Sequence, residues 1–212
     1  MYIKLEVSPV LRSNIICTED NFREDMIDNG FFSGHIDVID VDDIDFEEKE
    51  KIGEVHFHAF HLDKCGCDLF DGDIEISDLY DIMDEISGDE QVYCSIFESA
   101  CKELSKKMEK YKWAELFMVD NLHLVTLDRL YINENYRRNG FSKYILNNLQ
   151  DILRSYYNIE TFMVVGVCSP DVDDEKNTML KIQKDGLKKV GFTVKKSGSD
   201  TIFYKLISPD FE

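Results

Sequence analysis

Apolar and acidic residues alternate along HIDVIDVDDIDF (35–46). A period of two is typical of a strand with one face buried and the other in water. The segment IGEVHFHAFHL (52–62) has a similar pattern, so we expect the two to form a hairpin, with the charged EEKEK (47–51) as its turn. Two helices are predicted next: one that Ser77 caps and Gly88 ends, and a longer one over 89–111.

The second half of the chain alternates between strand and helix patterns. In chain order, these predict strands at 114–120 and 124–133, a helix at 140–157, a strand at 161–169, a helix at 175–190 and a hairpin at 192–207. The strand at 161–169 is almost entirely apolar, as expected where helices cover both faces of a sheet. The order of elements predicts a three-layer α/β fold with a mixed sheet.

Composition narrows the class of protein. The chain has 212 residues, 43% of them hydrophobic, and contains no Pro/Gly linker, so we expect a single domain over 1–212. The N-terminus lacks the pattern of a secretory signal, no apolar run is long enough to span a membrane, and the six cysteines are scattered. These features predict a cytoplasmic protein with reduced thiols and no membrane partner.

The net charge of −19 bears on the partners. A strongly acidic surface repels nucleic acid and favours cationic molecules, so we expect no nucleic-acid partner. Two alternatives remain open for this charge: it serves solubility alone, or the protein is an acidic decoy that imitates a nucleic-acid surface.

The segment ENYRRNGFSKYIL (134–146) is the most informative about a ligand-binding site. It joins a predicted strand directly to a predicted helix, and the first turn of a helix has unpaired N–H groups at its positive end. Arg137, Arg138 and Lys143 add full charges, and Gly140 lets an oxygen approach the main chain. This arrangement favours a phosphate or pyrophosphate ligand. Alternatively, the basic turn only balances acidic neighbours.

The sequence of this segment resembles the coenzyme-A-binding motif of the GNAT superfamily of acetyl-CoA-dependent N-acetyltransferases. The motif R/Q-x-x-G-x-G/A corresponds to Arg137-Arg138-Asn139-Gly140-Phe141-Ser142, with Ser142 in place of the second small residue. The later elements, TFMVVGVCS, the helix with Asn177, and LKKVGF before the last hairpin, follow in the family's order. The resemblance covers 115–206, which would be an acetyl-CoA-binding core, whereas 1–114 would be an acidic, variable part with the hairpin and two helices.

The resemblance implies a GNAT-like α-β-α fold with a splayed central sheet and an acidic N-terminal elaboration. It implies that the acetyl thioester lies in the gap between the two central strands. The implied contacts to coenzyme A come from the main chain of Leu130, Tyr131 and Ile132, which would pair with the pantetheine arm, from the N–H groups of Arg138 to Lys143, and from Asn177.

The implied reaction transfers an acetyl group from acetyl-CoA directly to a primary amine. The amine needs a base, and Asp128 is the candidate, because period-two counting places it on one face with Leu130 and Ile132. Asp128 could instead simply pair with a basic neighbour. The acceptor would be a small molecule or a peptide, and a homodimer is left open.

One departure from the family concerns the proton for the leaving thiolate. Leu187 stands where many members have a tyrosine, and leucine cannot donate a proton. Tyr204 and Cys168 are conceivable substitutes. The departure also motivates an alternative function, a non-catalytic acyl-CoA-binding or interaction module on the same fold.

The cluster HFHAFHLDKCGC (56–67) suggests a metal site at first sight. In a strand, however, His56 and His58 face one way and His61 the other, so the three cannot meet one ion. The spacing of Cys65 and Cys67 is also tighter than that of zinc knuckles. We therefore predict a strand without a metal, in which His56 or His58 faces the acceptor.

Overall fold

The computed structural model describes most of the chain. The described residues are 2–8, 30–41, 48–70, 73–86, 90–117, 122–169 and 176–209. The predicted helix stop at Gly88 and the end of the first predicted strand, 42–46, lie outside these residues. Within the described part, no helix is long and apolar enough to cross a membrane.

A seven-stranded mixed sheet runs through the molecule. Its strands, in spatial order, are β1 (Tyr2–Ser8), β2 (Phe31–Val41), β3 (Glu48–His61), β6 (Leu122–Ile132), β7 (Thr161–Val167), β9 (Asp200–Ile207) and β8 (Thr193–Ser197). The neighbours β6 and β7 are parallel and the other pairs antiparallel. A small separate sheet pairs β4 (Asp68–Phe70) with β5 (Asp73–Glu75). Both predicted hairpins are present, as β2–β3 and β8–β9.

Helices cover both faces of the sheet. The described helices are α1 (Ser77–Ile86), α2 (Glu90–Lys107), α3 (Lys110–Phe117), α4 (Phe141–Asn147), α5 (Leu149–Tyr157) and α6 (Lys176–Lys189), with a 3-10 turn at Glu134–Tyr136. One core packs α1–α3 against side chains such as Phe60 and Leu124, on what we call the front face. The other packs α4–α6 against Phe57 and Val125, on the back face. The predicted three-layer fold is therefore confirmed.

The acidic N-terminal elaboration is not confirmed. Strands β1, β2 and β3 are members of the main sheet, and β3 pairs with β6 along nine residues from Gly53 to His61. Moreover, β3 begins at Glu48, so four of the five residues of EEKEK belong to the strand and not to a turn.

The predicted strand at 114–120 is wrong where the structure describes it, because Lys110–Phe117 is helix α3. Trp113 and Leu116 are three residues apart and both are buried in the front core, which is the spacing of one helix face. The seven residues 114–120 are too few to distinguish the period of a strand from that of a helix.

The single helix predicted over 140–157 is two helices that meet at Asn148. There φ is −100° and ψ is 6°, and the Asn148 side chain donates a hydrogen bond from Nδ2 to the Tyr144 carbonyl at 2.7 Å. Asparagine competes in this way for main-chain acceptors, which is why it interrupts helices. Each half keeps an apolar side on the back core, including Ile145 and Leu153.

Glu103 joins α2 to the last hairpin. Its carboxylate accepts from Lys107, from the Tyr204 hydroxyl and from Lys195, and these bonds lower its pKa from 4.5 to about 2. A carboxylate with a lowered pKa stabilises the fold above its ordinary pKa and loses that contribution as the pH falls towards 2.

We therefore expect Glu103→Gln to lower the free energy of unfolding by about 1 kcal/mol at pH 7, a value reduced by the solvent near this group. In urea unfolding, the difference from the wild type should shrink as the pH falls from about 4.5 towards 2. Glu98→Gln, which alters an exposed pair with Lys102 on the same helix, is the control and should have little effect at any pH. A pH-independent loss for Glu103→Gln would contradict this role of the carboxylate.

Candidate functional site

The two central strands separate half-way along their length. β6 and β7 pair from Leu122 opposite Thr161 to Thr126 opposite Val165, and no pairing between them continues beyond that point. β6 runs on to Ile132, still paired with β3 on its other side. The main chain of β6 from Leu127 to Ile132 thus has an edge that β7 does not cover, which confirms the predicted splay. Leu130, Tyr131 and Ile132, the residues predicted to pair with pantetheine, lie on this edge.

A β-bulge re-aims Asp128 where the strands separate. In the β3–β6 ladder, Phe57 lies opposite Leu127 and His56 opposite Arg129, so Asp128 is an extra residue in β6. A bulge of this kind shifts the alternation of side chains by one position. The prediction that Asp128 shares a face with Leu130 and Ile132 is therefore wrong.

The Asp128 side chain joins a polar cluster on the front face. Its Oδ1 accepts a hydrogen bond from the Thr126 hydroxyl at 2.9 Å, and its Oδ2 lies 2.9 Å from His58 Nε2. On the other side of the His58 ring, Nδ1 lies 2.8 Å from Ser33 Oγ. Because an ionised carboxylate only accepts, Nε2–H donates to Asp128 and Nδ1 accepts from Ser33 in the neutral ring.

This cluster holds Asp128 in a defined position and leaves it within reach of solvent. The side chain is 23% exposed, while the residue as a whole is exposed, so much of its accessible surface is main chain at the uncovered edge. A carboxylate has about four acceptor positions, so the bonds to Thr126 and His58 leave capacity for a further proton donor. The alternative in which Asp128 simply pairs with a basic neighbour also has support, since His58 is such a neighbour.

Hydrogen bonds between its own residues stabilise the turn that follows β6. The Asn133 side chain accepts from the N–H of Asn135, and Asn139 Nδ2 donates to the Tyr136 carbonyl at 3.1 Å. Arg137 folds back over the strand end, where its Nε donates to the Ile132 carbonyl at 2.9 Å. These bonds fix the shape of the segment between the open edge and helix α4.

The far side of this turn presents main-chain donors. Arg138 and Gly140 both have left-handed backbones, with φ of 69° and 86°. The N–H groups from Arg138 to Lys143 donate to no acceptor among the described residues. A Cβ added at Gly140 would meet nothing within 4 Å, so a ligand can approach the main chain there. Main-chain N–H groups of such turns form anion-binding concavities.

The remaining predicted residues are placed as follows. Asn177 lies in the first turn of α6, and its side chain is outside the described residues. Leu187 is buried in the back core. Neither of the conceivable acids is an obvious donor: Tyr204 is buried and its hydroxyl already donates a hydrogen bond to Glu103, and burial raises the pKa of the half-buried Cys168 to about 11.

The histidine-bearing strand is β3, as predicted, with His56 and His58 on the front face and Phe57 and Ala59 in the back core. His35 lies directly opposite His56 on β2, a pairing that the sequence did not indicate. Burial, and then the neighbouring His35, lower the pKa of His56. Cys65 and Cys67 are buried in the front core and act as apolar side chains.

No protein-family model and no curated protein matches the chain. Solved structures do. The chain is similar to GNAT acetyltransferases of known structure. NAA60 of Arabidopsis thaliana, in complex with a bisubstrate analogue, matches with 13% identity and a TM-score of 0.43 over 96% of this chain and 98% of that chain. The KacTA–DNA complex matches with 9% identity and a TM-score of 0.39 over 97% and 93%.

A third structure is AtaT complexed with acetyl-methionyl-tRNAfMet, with 10% identity and a TM-score of 0.37 over 97% of this chain and 95% of that chain. NAA60 and an AtaT mutant have also been solved with acetyl-CoA.

The expectation of no nucleic-acid partner is wrong as an exclusion. Two of these similar structures contain DNA or tRNA. The physical reason is that net charge describes the whole chain, whereas binding depends on local charge. Arg138 and Lys143 are exposed and close together in sequence despite the overall charge of −19.

Proposed function

We propose that the protein is an acetyl-CoA-dependent N-acetyltransferase that uses Asp128 as its base. One observation carries this proposal. The segment 127–143 contains, in order, a carboxylate fixed by hydrogen bonds, a strand edge that β7 does not cover and a turn whose N–H groups have no acceptor among the described residues. These are the three functions that transfer from a coenzyme A thioester requires, namely a base, a binding edge for an extended arm and an anion cradle.

The residues present fit coenzyme A. The space at Gly140 and the N–H groups from Arg138 to Lys143 suit a pyrophosphate, and the exposed cations of Arg138 and Lys143 add attraction. The edge of β6 at Leu130 and Tyr131 suits the amide groups of pantetheine, which can bond to a strand as another strand would. Acetyl-CoA, when bound, supplies the acetyl group as a thioester.

In this proposal Asp128 accepts the proton that the acceptor amine loses when it attacks, directly or through one water. Thr126 and His58 are positioning residues, because each holds one carboxylate oxygen at 2.9 Å. The bulge places the carboxylate at the point where β6 and β7 part, beside the gap in which the thioester would lie.

The proton for the departing thiolate needs no protein donor in this scheme. A thiol has an ordinary pKa of about 8.5, so its thiolate is a stable leaving group that water can protonate. This is consistent with the burial of Leu187 and with the hydrogen bond that engages Tyr204.

We propose a cationic primary amine as the acceptor. The net charge of −19 supports this by attracting cations over long range. Close to Asp128 the support is weaker, because Asp37 and Glu54 on the same face already pair with Lys51. The acceptor is therefore best sought among several cationic classes, including polyamines, aminoglycosides and lysine-containing peptides.

The test is release of free thiol from acetyl-CoA in the presence of a panel of amines. We expect release that depends on both substrates with at least one cationic amine, and a mass increase of one acetyl group on that amine. Calorimetry with coenzyme A alone reports binding separately from turnover. Folded protein that releases no thiol with any amine would remove the catalytic proposal.

One alternative function is a non-catalytic acyl-CoA-binding module, motivated by the leucine at position 187, which has no proton to donate. The same pair of experiments distinguishes it. Coenzyme A binding without thiol release, unaffected by Asp128→Asn, would support the module, whereas release that this substitution abolishes would support the enzyme.

A further inference from the structure

Three side chains with metal-ligating atoms meet on the front face of β2 and β3. They are His35, Glu54 and His56, each of which offers one ligand atom, and these atoms lie within 4.8 Å of one another. The register brings them together: His35 is directly opposite His56, and Glu54 precedes His56 by two residues on the same face. None of the three belongs to the Asp128 cluster.

The two imidazoles are closely packed but not bonded to each other. Their ring centroids are 4.4 Å apart at an interplanar angle of 81°. His35 Nδ1 and His56 Nε2 are both buried atoms with no hydrogen-bond partner. Buried polar atoms in folded proteins nearly always have a partner, so two such nitrogens in one cluster point to a missing ligand.

The opposite nitrogen of His35 is already held. His35 Nε2 lies 2.6 Å from Asp37 Oδ1, and since a carboxylate only accepts, Nε2 carries the proton. Nδ1 is then the atom with the free lone pair. A histidine that binds a metal usually donates its other ring N–H to a carboxylate in this way, which fixes both the tautomer and the orientation of the ring.

Glu54 completes the set. Its Oε1 lies 3.5 Å from His56 Nε2, too far for a good hydrogen bond, while its Oε2 accepts from Lys51 at 2.7 Å. Arg129 Nε lies 3.3 Å from Oε1. These cations offset the charge of Glu54, and neither of them donates to His35 Nδ1 or His56 Nε2, which have no hydrogen-bond partner.

We propose that His35 Nδ1, His56 Nε2 and Glu54 Oε1 bind one divalent transition-metal ion of the zinc type. Two imidazoles and one carboxylate form a three-ligand set known for zinc, with a fourth position open to water or another ligand. With metal–ligand bonds of about 2.1 Å, tetrahedral ligand atoms lie about 3.4 Å apart, so the side chains need only close inward from their present spacing. This inference is independent of the proposed acetyl transfer.

The sequence predicted a strand without a metal over 56–67, whereas the proposed site takes one ligand, His56, from that segment. His58 is engaged by Asp128 and Ser33, His61 lies on the other face, and Cys65 and Cys67 are buried in the front core. The proposed site differs because its decisive ligand, His35, comes from the neighbouring strand β2.

The experiment is a titration of the metal-free full chain with Zn²⁺ by calorimetry and with Co²⁺ by visible absorption, in the absence of acetyl-CoA. We expect the chain to bind one equivalent of each ion. The visible absorption bands of bound Co²⁺ should have the intensity typical of four-coordinate sites, and no thiolate-to-cobalt charge-transfer band should appear. His35→Gln and His56→Gln should weaken binding by more than a hundredfold. Asp37→Ala should weaken it by roughly 10–100-fold, since it removes the acceptor that orients His35.

His61→Gln is the matched control, because it removes a histidine from the same strand but from the opposite face. Circular dichroism and thermal unfolding of each variant show whether it is folded, and Glu54→Gln provides a third ligand substitution should one histidine variant fail to fold. Absence of one-equivalent binding, equal binding by the His35 and His56 variants, or a thiolate band that reports cysteine ligation would each overturn the proposal.

Discussion

Asp128→Asn is expected to lower kcat for acetyl transfer by roughly 10²–10⁴-fold, the usual contribution of a positioned base. Asparagine has nearly the same shape and can still accept from Thr126, so the fold and the bulge should persist. The dissociation constant for coenzyme A should change little, because Asp128 lies at the start of the open edge and not at the turn of N–H groups. Thiol-release kinetics and calorimetry measure the two effects.

Two further variants make this test specific. Asp151→Asn, an exposed aspartate in the first turn of α5, is the control and should leave the rate unchanged. His58→Gln should lower kcat by less than Asp128→Asn, and the double variant should be no slower than Asp128→Asn alone, because a positioning residue acts only through the group it holds. Full activity of Asp128→Asn would exclude Asp128 as the base.

Gly140→Val is expected to weaken coenzyme A binding by roughly tenfold or more, equivalent to at least about 1.4 kcal/mol. The added side chain would occupy the open space through which a pyrophosphate reaches the main chain, and the left-handed backbone at φ 86° would disfavour a branched residue. Calorimetry with coenzyme A measures the binding, and urea unfolding measures the stability.

The chain offers a close control in Gly198. This glycine also has a left-handed backbone, at φ 58°, and open space around an added Cβ, but it lies at the tip of the β8–β9 hairpin. Both substitutions should cost about 1–2 kcal/mol of stability through backbone strain. Only Gly140→Val should alter the affinity for coenzyme A, and a similar loss of affinity in both variants would mean that strain, not ligand contact, is the cause.

The sequence predicted the elements whose pattern is long and regular. The apolar run of β7 and the glycine-containing hairpin tip appear at the predicted places, and β2 and β3 overlap their predicted ranges but each begins four residues earlier. Failures occurred where one local feature opposed a longer pattern. The eight residues of α3 were too few to show a period, and Asn148 divides a helix whose apolar side continues on both halves.

The turn between β6 and α4 was predictable from the sequence, but the orientation of Asp128 was not. The turn from Arg137 to Lys143 lies where the motif predicted, because it depends on local sequence between one strand and one helix. The orientation of Asp128 depends instead on an extra residue in the pairing of β6 with β3, and period-two counting along one strand cannot detect a bulge. His35 was missed for the same reason, since its proximity to His56 depends on the register of two strands.

Because of the bulge, the residue proposed as the base has no partner in the pairing of β6 with β3. Leu127 pairs with Phe57 and Arg129 with His56, so the residues on either side of Asp128 already face consecutive positions of β3. The ladder would be complete without residue 128. The pairs on either side of Asp128 therefore do not depend on it. A deletion of this one residue would remove the proposed base, just as a substitution of its side chain would.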